Sequence, residues 1–340
     1  GVMILALSIG GYMNNTNKHK EAHMQGRNAP VAWLLAVSLF LVIAVLLPPG
    51  ASAEITITLK NSFIEKYKNR ATIETNFTVD KAHKKPNPAS KDGDLHIAGR
   101  AVEVGLPIVA EIMNAASVPE AVARIHDLEG TNEKVVMAGA WRIWTEHGGD
   151  SEQVQGRKIP PYKNANPDHV FEIHPVTQIG GLSVAETLRP IEGYKPKQAG
   201  PAFHRYEITK SQIIPGETTT TLVTNMAGYN YVEFLLQLNE NPYKVSDGYL
   251  AKANAHEVDD GELVVSNRRM VFINGSAPAE AVKDLKDGDC LHVLGIPRID
   301  LALVSWRVRN AKTRPYALHW SLPYEIIVVG LYRDNACERI

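Results

Sequence analysis

Apolar and polar positions alternate most clearly between His169 and Ile179, where H-V-F-E-I-H-P-V-T-Q-I follows an Asn166-Pro167-Asp168 turn signal. Alternation puts Phe171 and Ile173 on one face and Glu172 and His174 on the other. Pro175 cannot donate to a ladder, so this strand is expected at an edge or bulged there. Upstream, Ile55–Leu59 reads as a short strand and Asn61–Tyr67 as one or two helical turns. The spacing predicts further strands at 71–80, 95–98, 106–113 and 134–146, with a bulge at Gly139. A single helix is expected over 117–127, with Ser117 as N-cap, Glu120 completing a capping box and Val118, Val122 and Ile125 as its apolar stripe.

One helix between the third and fourth of five short strands is the order of the OB-fold, a partly open Greek-key barrel that binds oligonucleotides or oligosaccharides. The sequence therefore reads as mainly β, an OB-fold-like five-stranded barrel with one helix followed by a larger β-sandwich or barrel domain. The OB-like part covers 54–180. Gly180-Gly181, Pro190, Pro196 and Gly200-Pro201 mark 181–202 as a linker. The β-rich remainder, 203–340, has candidate strands at 204–213, 218–224, 229–238, 261–265, 269–273, 289–294, 301–308 and 325–331, and a short helix at 278–285. D-G-D occurs at both Asp92 and Asp287, each followed by an apolar strand with a histidine, which suggests a duplicated hairpin and a tandem of barrels.

Composition changes the picture at the N-terminus. Val31–Leu47 is an uncharged apolar or small-residue run, preceded by Lys18, Lys20 and Arg27 and ended by Pro48-Pro49-Gly50 and Ala51-Ser52-Ala53. That layout predicts a signal peptide over 1–53, or an N-terminal anchor if it is not cleaved, and a periplasmic or secreted protein. Membrane contact is expected only in the uncleaved case. At 44% hydrophobic and 21% charged the chain is globular rather than disordered. Without residues 1–53, which carry three basic side chains and one acidic, the net charge falls from −1 to about −3. No basic stripe remains, so strong duplex-DNA binding through phosphate neutralisation is not expected. In an oxidising compartment Cys290 and Cys337 are expected to form a disulfide, stabilising by roughly 3–4 kcal/mol in the chain-entropy model.

Candidate chemistry is sparse. The D-G-D-L-H-I entry and the E-I-H-P-V-T strand resemble segments of secreted bacterial proteins of unknown function, whose OB-like domain ends in an E-I/L-H-P-V strand. That resemblance implies a secreted module and no activity. The same D-G-D entry resembles the staphylococcal-nuclease type of OB-fold, in which paired aspartates hold Ca²⁺ beside a phosphodiester. This likeness implies a metal-dependent phosphodiesterase with Asp92, Asp94, Arg100 and Glu103 as catalytic residues and Asp92 and Asp94 on calcium. The family's Asp-Thr-Pro segment and second arginine have no counterpart here. Glu146-His147 and Asp168, His169, Glu172 and His174 end the last two barrel strands and converge as metal ligands only if those strands are neighbours. The first expectation is a non-enzymatic binding or assembly protein without a cofactor. Its barrel surface carries Arg100, Arg142, Trp144, Glu172 and His174, and its partner is a protein, a glycan or an oligonucleotide.

Overall fold

A computed structural model describes residues 54–149, 152–228 and 230–340; the expected leader, 1–53, lies outside them. Strand β1 (Glu54–Lys60) and helix α1 (Asn61–Tyr67) come first. Then follow β2 (Thr72–Ala82), β3 (Leu95–Ala101), β4 (Ile108–Ile112), α2 (Pro119–Leu128), β5 (Lys134–Ile143), β6 (Gln153–Val154) and β7 (Phe171–Ile179). The middle of the chain holds β8 (Leu182–Ser183), β9 (Lys197–Gln198), α3 (Ala199–Ile208), β10 (Lys210–Pro215) and β11 (Thr219–Asn225). Last come β12 (Val232–Leu238), β13 (Tyr243–Val245), β14 (Gly248–His256), β15 (Leu263–Ile273), α4 (Ala277–Val282), β16 (Cys290–Ile299), α5 (Leu301–Asn310), β17 (His319–Ser321) and β18 (Tyr324–Leu331).

Two closed five-stranded barrels result. The first runs β2-β3-β4-β7-β5 and back to β2, antiparallel throughout except for the parallel β4–β7 closure. The second runs β12-β14-β15-β18-β16 and back to β12, with β15–β18 as its parallel closure. Each has its helix, α2 or α4, between its third and fourth strands. Both are OB-folds. The two D-G-D turns are not equivalent, however: the first leads into a second strand, β3, and the other into a fourth strand, β16. A third sheet, β17-β10-β11-β1-β6, joins distant parts of the chain, and the described residues form one compact unit.

Local chemistry explains where the sequence expectations hold and where they do not. Phe77, Ile97, Ile112 and Ile173 fill the first barrel, and α2 buries Ala121, Ile125 and Leu128. The Ser117–Glu120 capping box does not form: Pro119 opens the helix and the Ser117 hydroxyl donates to the Asn114 carbonyl. Strand β7 is interior, not an edge, and its register with β5 breaks around Gly139 opposite Val176. A Cβ on Gly139 would stand 2.4 Å from the Pro175 carbonyl oxygen, so the two chains approach more closely there than a side chain allows. Residues 301–308 are helical rather than extended, because the Asp300 side chain caps the Leu303 amide at 2.9 Å. Residues 204–208 likewise belong to α3, which buries Ala199, Ala202, Phe203 and Tyr206 at helical spacing. Pro201 sits in its first turn, where a missing amide hydrogen costs nothing.

Cys290 and Cys337 form a disulfide. Beside it His292 bridges Asp334 (2.9 Å) and Glu233 (3.0 Å), fastening the C-terminal tail to the second barrel. Burial disfavours the imidazolium, but hydrogen bonds to Glu233 and Asp334 outweigh it and raise the His292 pKa. A raised folded-state value stabilises fully below the ordinary histidine range, about 6.5, and the contribution fades as pH climbs through the folded-state value. Urea denaturation from pH 6 to 8 should therefore show stability falling, and His292→Asn should flatten that part of the curve.

Candidate functional site

Alternation along β7 turns Phe171 and Ile173 inward and leaves Glu172 and His174 on the outer wall of the first barrel. Register then lines up polar neighbours around that wall. His96 on β3 is opposite Glu111 on β4, and Glu172 is opposite Arg142 on β5. In an isolated barrel this belt would face water. Here the segment entering the second barrel, with Asn230 and Tyr231, and the strand carrying Pro297 meet it. Glu111, Arg142, Glu172 and His174 are all 2% exposed or less. His169, just before β7, is also buried.

The contacts are close and gather three carboxyl groups around two imidazoles and one guanidinium. His174 Nδ1 stands 3.2 Å from Glu111 and 3.3 Å from Glu172, and its Nε2 lies 2.9 Å from the Tyr231 hydroxyl. With Asp94 ionised that hydroxyl donates to its Oδ2 at 2.7 Å and accepts from His174 Nε2–H. His169 donates from Nδ1 to the Pro167 carbonyl at 2.7 Å and points Nε2 at Glu172, 3.4 Å away. Arg142 ion-pairs with Glu172 and donates to the Pro297 carbonyl at 2.8 Å and to Asn230 Oδ1 at 2.5 Å.

These surroundings separate the carboxyl groups. Burial raises Asp94 well above the usual carboxylate range, and the charges of Glu111 and Asp92 add to the effect. Burial also lifts Glu111 to about 7. Glu172 is equally buried, but the Arg142 guanidinium and the flanking histidines overcome this and hold it well below the ordinary value. Burial drives His147, stacked on His169, down to about 4.

Of the residues singled out in the sequence, Asp94, Arg142, Glu172 and His174 come together, and His169 joins them. Asp92 stays in its turn, accepting from Asn87 and from the Asp94 amide. Arg100 lies elsewhere, forked onto Asp80, and Glu103 accepts from Asn76 at 2.9 Å; neither reaches Asp94. Trp144 is buried edge-on against Tyr206, so it offers no face for stacking. Arg142, Glu172 and His174 are interior rather than surface residues for the same reason: the second barrel covers them. Neither Glu111 nor Tyr231 stands out in the alternation or the motifs. The available signal for Glu111 was one charge in the otherwise apolar strand I-V-A-E-I, because an isolated carboxylate among core residues needs a partner.

An open surface lies on the third sheet. Ile55, Ile57 and Leu59 of β1 face the core, and Thr56, Thr58, Thr221, Val223 and Gln212 form the other, half-exposed side. Register sets His319, Gln212, Val223 and Thr56 in one row across four strands. A groove of about 300 Å³ at its end is lined by Glu54, Lys210, Gln212, His319 and Trp320. Trp320 is 55% exposed and Tyr316, 61% exposed, lies 6.2 Å from it between ring centres.

No protein-family model matches the chain, and no curated protein matches its sequence. Among solved structures, the chain is similar to the wild-type single-stranded DNA binding protein from Thermus aquaticus and to a deletion mutant of it. Both alignments have 10% identity and a TM-score of 0.20, covering 78% of this chain and 91% and 93% of those chains. A likeness that distant adds nothing to the barrel topology described above.

Removing the Tyr231 hydroxyl would strand the His174 Nε2 proton and a buried Asp94 oxygen. Tyr231→Phe should lower unfolding free energy by about 1–3 kcal/mol. The exposed control Tyr316→Phe should change it by less than about 0.5 kcal/mol. Chemical denaturation of both variants checks this.

Proposed function

We propose that this protein is an exported, non-enzymatic binding protein that holds an oligosaccharide on the third sheet, beside Trp320. The observation that carries the reading is an uncharged, half-exposed sheet face ending in a groove with an open tryptophan. Sugar rings stack their C–H faces on such a ring, and hydroxyl and amide side chains such as Thr56, Thr58, Thr221 and Gln212 exchange hydrogen bonds with sugar hydroxyls. A nucleic acid would also need its phosphates neutralised. In this groove Lys210 is offset by Glu54.

Two further considerations support the reading. The carboxylate–histidine cluster is closed to a substrate the size of a phosphodiester, and Arg100 and Glu103 do not attend it, which speaks against the nuclease alternative. The disulfide suits an oxidising compartment, in keeping with the leader expected over 1–53.

The test is a binding assay on chain lacking residues 1–53, using peptidoglycan fragments and a panel of neutral oligosaccharides, read by tryptophan fluorescence. Trp320→Ala should weaken binding about tenfold or more, as loss of one stacked ring is worth roughly 1–3 kcal/mol, without lowering Tm. Tight, salt-sensitive binding of an oligo-dT instead, or metal-dependent cleavage of it, would overturn the proposal.

A further inference from the structure

We infer that the buried cluster on the first barrel is a closed divalent-cation site centred on Glu111, with donors drawn from Asp94, Glu111, Glu172, His169 and His174. The inference goes beyond the saccharide reading and stands independently of it. Among the described residues two triads satisfy the geometry, Asp94–Glu111–His174 and Glu111–His169–Glu172; within each, the ligand atoms lie within 4.8 Å of one another, and Glu111 is common to both.

Charge is the first argument. Asp94, Glu111 and Glu172 bring three carboxyl groups into a dry wall, and Arg142 supplies one compensating cation. With all three ionised, two negative charges would be left over, the amount one divalent ion balances. The ring nitrogens and carboxylate oxygens also converge on one another across the cluster. His169 has spent its Nδ1 proton on Pro167 and turns Nε2 toward Glu172 at 3.4 Å, and Asp94 Oδ1 has no hydrogen-bond partner among the described residues. His174 is oriented in the same way, with Nε2–H on Tyr231 and Nδ1 facing Glu111 and Glu172. A histidine whose second nitrogen is fixed by a carbonyl or hydroxyl is how proteins hold an imidazole ligand in one tautomer. The separations of 3.2–3.4 Å between His174, Glu111, Glu172 and His169 atoms fit a coordination shell. Donors about 2.1 Å from an ion at tetrahedral angles stand about 3.4 Å apart.

The second barrel supplies an internal control. Its arginine–glutamate pair, Arg298–Glu325, occupies the register of Arg142–Glu172. Counting from that pair, the positions of His96, Glu111 and His174 are held there by Leu250, Val271 and Ile327, which pair across the same strands. All three are core residues. The fold and the contact between barrels are therefore compatible with hydrocarbon at these positions, and the polar row in the first barrel requires another reason.

Mixed imidazole and carboxylate donors suit Zn²⁺, Mn²⁺ or Fe²⁺ better than Ca²⁺, which takes oxygen ligands only. With every donor residue 2% exposed or less, the site is closed, as structural metal sites are. The ion would fix the first barrel to the Tyr231 segment that leads into the second.

The experiment uses the chain from Glu54 to its end, purified without a metal-affinity tag. Elemental analysis should find about one transition-metal ion per chain after dialysis. Stripping with dipicolinate should lower Tm, and Zn²⁺ or Mn²⁺ should restore it. Loading the stripped protein with Co²⁺ should give the visible bands of a nitrogen- and oxygen-ligated ion. Glu111→Gln should weaken metal binding at least about 100-fold. The combined variant His96→Leu, Glu111→Val, His174→Ile, which copies the second barrel, should fold, bind no metal and show a Tm indifferent to chelator. Wild-type protein that is metal-free as isolated, and whose Tm and Co²⁺ spectrum show no response to added ions, would overturn the inference, since protons would then balance the carboxylates. Oligosaccharide binding at Trp320 is read separately, so either conclusion can fail without the other.

Discussion

Two arginines hold the molecule together. Arg142 pairs with Glu172 in the first barrel and reaches across to the carbonyl of Pro297, the residue before Arg298. Arg298 pairs with Glu325 in the second and reaches back to the carbonyl of Trp141, the residue before Arg142, at 2.9 Å. Each guanidinium thus closes its own barrel's fourth and fifth strands and donates into the other barrel's backbone. Both are wholly buried. A buried charge without such partners costs several kcal/mol, so each barrel completes a polar site that the other would leave open. Arg298 also lies 3.5 Å over the Trp141 ring and takes the Arg70 and Ala71 carbonyls.

The reciprocity extends to the strand entries. Asp94, just before β3, accepts from Tyr231, the residue before β12. Asp247, just before β14, accepts from the amide of Ala71, the residue before β2, and from that of Thr72, which opens it. Opposite ends of two similar barrels are therefore fastened by matching devices, the arrangement expected of a duplicated unit packed about a pseudo-twofold axis. The symmetry is broken where chemistry enters. One barrel carries His96, Glu111 and His174 on the covered wall, and the other carries hydrocarbon at the same register.

The first barrel was largely legible in the sequence because its strands alternate cleanly and its one helix has a strong apolar stripe. The second was legible as β but not in its order. Strand β14 has little β signal because Ala251, Ala253 and Ala255 are weak strand formers, although they pack inward. Strand β15 reads as two pieces because Asn267 takes a left-handed conformation inside it. The α5 segment, L-A-L-V-S-W-R-V, has apolar residues suiting either period, and only the Asp300 cap decides for helix. The D-G-D echo suggested a tandem, which exists, but through turns at different places in the two barrels. The site was half legible. Glu172 and His174 could be placed on one face, yet nothing in a single strand reveals that a second barrel covers it, or that Glu111 is aligned opposite His96.

The most direct test is a double-mutant cycle on Arg142→Met and Arg298→Met, followed by calorimetry. If each arginine completes the other barrel's site, wild type unfolds in one transition and the two substitutions couple by more than about 0.5 kcal/mol. Two separate wild-type transitions, with substitution effects that simply add, would show that the barrels stand alone and would contradict the account.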